Sequence, residues 1–88
     1  MAFRLTVEER KQLGDRMRLA RHLANLTVRA VAGKFGVSTN TVHHWEHGGL
    51  PAAELRPQIA SLYGVDEPLL FAEHEARLEE ARRLLRPV

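Results

Sequence analysis

At 88 residues, with 44% hydrophobic side chains but only three Phe, one Tyr and one Trp, the chain has material for one small domain around an aliphatic core. It has no cysteine, which excludes a disulfide scaffold, a thiolate zinc site and a cysteine nucleophile; with no apolar run of membrane length and no signal-peptide core, the expected location is the cytoplasm. The net charge of +2 hides an asymmetry: residues 1–47 hold eight Lys or Arg against four Asp or Glu, and the rest hold five against seven, so positive charge gathers on the first half.

Thr6, with Glu9 three residues later, makes a capping box and predicts a first helix from about Val7 to Leu23 or Ala24. Leu13, Met17, Ala20 and Ala24 supply its core face. Arg10, Lys11, Arg16 and Arg18 fall mostly outside that face, where they solvate the helix or touch a nucleic-acid backbone. Asn25 follows at the position of a left-handed C-cap, a conformation Asn tolerates better than most residues.

Thr27 to Gly48, TVRAVAGKFGVSTNTVHHWEHG, reads as two short helices hinged on a glycine. Val28, Val31, Ala32 and Phe35 recur at i, i+3, i+4 and i+7 behind Thr27 as N-cap, and Gly36 ends the first helix. Ser38 caps the second, whose inward stripe is only Val42 and Trp45. At about 100° per residue, Asn40 and His44 lie nearly opposite Val42, with His43 and His47 on the flanks.

A neutral, hydrogen-bonding front at the positive end of a helix suits the floor of a DNA major groove. Thr39, Asn40, His43 and His44 are the expected base contacts. Arg18, Arg29, Ser38, Thr41 and His47 are the expected phosphate contacts. The bland alternative for each residue taken singly is a solvated polar face. His43 and His47 also share the i, i+4 spacing of zinc ligands, but two ligands do not make a site, and no metal or other cofactor is implied. No phosphate loop, nucleophile motif or acid pair supports catalysis.

From Gly48 to Leu55 the chain reads as a loop, and Pro57 belongs in the first turn of a helix ending near Tyr63 and Gly64. The last helix is predicted from Asp66–Pro68 to Leu85 or Arg86. Phe71, Leu78 and Leu85, alternating with His74, Ala81 and Val88, fit a seven-residue seam. Glu73 with Arg77 and Glu79 with Arg83 are spaced for i, i+4 pairs. Two uses compete: packing back over the same domain, or pairing with a second subunit through Phe71, Leu78 and Leu85.

Leu13 to Phe71 resembles the DNA-binding domain of the lambdoid-phage repressor and Cro family, the XRE-like helix-turn-helix proteins. LGDRMRLAR resembles the family's first helix, VAGKFGVSTNTVHHWEHG its two central helices, and RPQIASLYGVDEPLLF its fourth helix and the start of its fifth. The resemblance implies an all-α, five-helix lambda-repressor-like domain over residues 1–72, an extended C-terminal helix over 73–88, and operator binding by a symmetric dimer. It also implies a partner for Glu46, whose phase of about 40° from Val42 puts a carboxylate at the core margin. In the family the residue matched by Arg21 pairs with the one matched by Glu46. The chain departs from the pattern in two places: the 48–55 loop has no Lys or Arg, and Val28 stands where relatives carry Gln.

The expectation is therefore a non-enzymatic transcriptional regulator, a repressor of the Cro type, acting on double-stranded DNA at an inverted repeat. An adaptor or anti-regulator that uses the same fold to bind a protein is the alternative.

Overall fold

The computed structural model describes residues 4–86, so Val88, assigned above to the C-terminal seam, lies outside the described residues. Six helices follow in order: α1 Val7–Leu23, α2 Val28–Phe35, α3 Thr39–Glu46, α4 Arg56–Tyr63, α5 Glu67–Leu70 and α6 Ala72–Leu84. Among the described residues no helix is long and apolar enough to cross a membrane.

Local chemistry sets most of the helix ends. At α1 the Glu9 amide donates to Thr6 Oγ1 at 3.1 Å and the Thr6 amide donates to Glu9 Oε1 at 2.8 Å, closing the capping box. The helix stops because Asn25 turns left-handed at φ 58°, with Leu26 N–H donating to Arg21 O and Asn25 N–H to His22 O. The same pair of reverse bonds ends α4 at Gly64, where Val65 N–H donates to Ala60 O and Gly64 N–H to Ser61 O.

Leu13, Met17, Val31, Val42, Ile59 and Leu70 are fully enclosed, so α1 to α5 all contribute to one core. Where α1 crosses the end of α3 the backbones nearly touch. A Cβ on Gly14 would fall 2.5 Å from Glu46 O and 2.8 Å from Gly48 N, so only hydrogen fits there.

The C-terminal region departs from the single helix expected there. The chain leaves helical geometry at Phe71, φ −110° and ψ 39°, dividing it into the short α5 and the longer α6 and giving six helices instead of five. The break lets adjacent Leu70 and Phe71, at 0% and 1% exposure, both enter the core. Burying a Phe side chain stabilises by about 1.5–3 kcal/mol, which helps offset the helical hydrogen bonds lost at the break. Phe71, expected as a dimer anchor, is packed in the core of its own domain at 1% exposure.

α6 begins against α1. Arg16 donates both guanidinium ends to Glu73 at 2.7 and 2.8 Å, and Arg77 donates to Glu9 at 2.7 Å. Those partners replace the expected Glu73–Arg77 pair, and Glu79 meets Arg82 at 3.2 Å in place of Arg83. The end of α6 and its C-cap are exposed, with Leu84 and Leu85 at 66% and 74%. The radius of gyration, 13.8 Å, exceeds the roughly 12 Å of a compact chain this long, consistent with a 47 Å long axis.

Candidate nucleic-acid interface

The α2–turn–α3 unit is built by three local devices and one aromatic contact. Thr27 Oγ1 accepts the Ala30 amide at 3.0 Å at the head of α2. Gly36, at φ 64°, reverses the chain, with Val37 N–H donating to Ala32 O at 3.0 Å. Ser38 Oγ then accepts the Thr41 amide at 3.1 Å to start α3. Beneath the turn, the Phe35 and Trp45 rings meet edge to face at 6.2 Å between centroids.

α3 is held from below by Val42 and Trp45, at 0% and 3% exposure. It is held from the side by a buried ion pair with α1. Arg21 Nε donates to Glu46 Oε2 at 2.6 Å and Nη2 to Oε1 at 3.1 Å, while Nη1 donates to Leu26 O at 2.9 Å. One guanidinium thus ties α1, the α1–α2 turn and α3 together. Hydrogen bonding to Glu46 raises the Arg21 pKa further above its ordinary value. Nearby Tyr63 is pushed up to about 12, first by burial and then by the Glu46 charge, so its phenol stays neutral.

The opposite face of α3 is open: Thr39, Asn40, His43, His44 and His47 are all exposed, and Thr41 is half-buried. Their hydrogen-bonding capacity differs. Ser38 and Thr41 share a hydroxyl–hydroxyl bond of 3.0 Å, so one of their two protons is already used and one remains for an outside acceptor. His47 Nδ1 lies 2.7 Å from His43 O; a carbonyl only accepts, so Nδ1 carries the hydrogen. The neutral His47 ring therefore turns an Nε2 lone pair outward and can donate to a phosphate only as imidazolium. His44 leans over Gly49, where a Cβ would land on its ring.

Cations flank this face unevenly. Arg29 is exposed on the first turn of α2. Arg18 lines a cleft with His43 and His47. Arg21, at 7% exposure and with three donors already engaged, is structural. Among the described residues no group of three or more His, Cys, Asp or Glu side chains is arranged to hold a metal ion.

Two links are not legible in the sequence: Arg10 lies near the end of α3, and Arg56 reaches α6. Arg56 Nε donates to Pro51 O at 2.9 Å and Nη1 lies 3.2 Å from His74 Nε2, bracing the 48–55 loop against α6. Burial, and then the Arg56 charge, lower the His74 pKa, so this ring favours the neutral acceptor form. Neither link has a local sequence signal, because each joins elements set only by the tertiary fold.

A family model described as a helix-turn-helix domain matches residues 12–71, well over half of the chain and the whole of α2, α3 and α4. No curated protein and no solved structure matches it. The match spans the same two helices and glycine turn that carry the open polar face, and the chain belongs to the helix-turn-helix domain family.

Proposed function

We propose that this protein is a sequence-specific DNA-binding transcriptional regulator of the repressor type that reads the major groove with α3. The observation that carries the reading is the exposed front of Thr39, Asn40, His43 and His44 on a helix pinned from behind by Val42, Trp45 and the Arg21–Glu46 pair. Asn40 offers the bidentate amide that suits adenine, the two His rings offer a donor or acceptor to guanine or thymine edges, and Thr39 adds a hydroxyl and a methyl group. Arg18 and Arg29 supply phosphate contacts, joined by the remaining hydroxyl proton of Ser38 or Thr41 and by His47 when charged.

One eight-residue helix reads too few base pairs to select a site, so the reading includes a symmetric dimer on an inverted repeat, with half-sites about 34 Å apart. With Phe71 in the core, α6 and its C-cap carry the pairing: Leu78, half-buried, and Leu85, exposed.

Fluorescence anisotropy with a random-sequence duplex tests the reading. Affinity should fall between about 50 and 200 mM salt with a slope near −0.9 for each phosphate contact. Absence of binding at low salt would favour a protein partner instead.

A further inference from the structure

Arg10 sits against the turn that follows α3. Gly48, at φ 97°, comes so close to α1 that a Cβ would lie 2.5 Å from Arg10 O and 2.7 Å from Arg10 Cβ. Together with the Gly14–Glu46 approach, this fixes the first half of α1 against the C-terminal end of α3. Between them runs an open groove of about 850 Å³, with Arg4, Arg10 and Lys11 on one wall and His44 and His47 on the other.

Arg4, Arg10 and Lys11 outnumber the acids that line the groove. Its two acids are already matched: Glu46 by Arg21, and Asp15 by Lys11 at 3.5 Å. Among the described residues neither Arg4 nor Arg10 forms an ion pair. An eight-residue helix is about 12 Å long, close to the roughly 12 Å width of the major groove, so an α3 laid across that groove would bring its two ends toward the two phosphate strands. The N-terminal end has the favourable dipole and the hydroxyls of Ser38 and Thr41. The C-terminal end has the unfavourable dipole, and residues 48–55 contain no Lys or Arg to offset it.

We propose that Arg4 and Arg10, with Lys11 beside them, hold the DNA phosphate strand that passes the C-terminal end of α3, so that an edge of α1 supplies the cations the following loop lacks. The proposal rests on the DNA-reading role of α3 and specifies where the second strand is gripped. His44 and His47, which border both surfaces, join the base-reading front to this groove.

The test compares the full chain with an Arg4→Gln/Arg10→Gln variant, which keeps the Cβ packed on Gly48. Anisotropy is read against salt, using a duplex that the unaltered protein selects. Removing two phosphate contacts should flatten the log–log salt slope by about 1.8, so the variant loses about twelvefold less affinity between about 50 and 200 mM salt. Base preference should stay the same. A duplex-binding protein whose slope is unchanged by the double substitution overturns the groove while leaving the role of α3 intact; a protein that binds no duplex overturns both. Amide shifts of Gly48 and Gly49 supply the second arm. If inorganic phosphate at matched ionic strength shifts them as much as duplex does, the groove is an ion site and not a strand track, and the proposal fails.

Discussion

Arg21 of α1 and Glu46 of α3 form a two-point ion pair with side-chain exposures of 8% and 5%, and the same guanidinium reaches Leu26 O. Both charges are out of water, so each depends on the other to offset its desolvation. Replacing Arg21 by Met or Glu46 by Gln alone should destabilise the fold by about 3–5 kcal/mol, and the double change by much less than the sum. Urea melts of the three variants give the coupling. Two small, additive effects would show that the pair does not hold α3.

Two glycines should respond with opposite signs to the same substitution. Gly14→Ala places a methyl 2.5 Å from Glu46 O and must push α1 from α3, costing about 1–3 kcal/mol. Gly33→Ala, on the exposed side of α2 with nothing within 4 Å, should stabilise by about 0.5–1 kcal/mol. Thermal melts of the two variants, with opposite shifts expected, check the close approach directly.

The docking of α6 should weaken in acid. The Arg16 hydrogen bonds hold the Glu73 carboxyl below the ordinary value, so its contribution is present above that value and is lost as pH falls through the lowered one. His74 is also lowered, so its contribution is present above the usual His value and is lost as pH falls through its own reduced value, when the ring charges beside Arg56. Amide protection across α6, corrected for the intrinsic slowing of exchange in acid, should fall first as His74 charges and again as Glu73 is protonated. In Arg16→Gln the second step should be much reduced, and an unchanged profile would remove the Arg16–Glu73 tie from the account.

The features legible in the sequence are those fixed within a few residues. Thr6 with Glu9, Thr27 and Ser38 mark helix starts because each hydroxyl accepts an amide three positions on, and Asn25 and Gly36 mark helix ends because they tolerate a left-handed backbone. Helical phase also places Glu46 at the core margin, although only the family resemblance supplies Arg21 as its partner. Phe71 is different. The heptad spacing with Leu78 and Leu85 is compatible with an outward seam, and only the packed core shows that the chain breaks its helix to bury Phe71 beside Leu70. Arg16 with Glu73 and Arg77 with Glu9 are separated by 57 and 68 residues, so no local pattern distinguishes them from the i, i+4 partners that the sequence also offers.

Dimer formation has its own test at the end of α6. Leu85→Glu, at an exposed position, should leave thermal stability within about 0.5 kcal/mol while reducing cooperative binding to an inverted repeat. Sedimentation with operator duplex distinguishes two protein chains per duplex from one. A single chain per duplex, indifferent to the substitution, would rule out pairing through α6.

Selection of duplexes from a random pool, run in parallel with the unaltered protein and with Asn40→Ala, decides whether α3 reads DNA sequence. The unaltered protein should enrich an inverted repeat, and Asn40→Ala should lose preference at one or two base pairs in each half-site, about 1–3 kcal/mol of specific binding, with an unchanged melt. Failure to enrich any sequence, or an identical site from both proteins, would contradict the reading of DNA by α3.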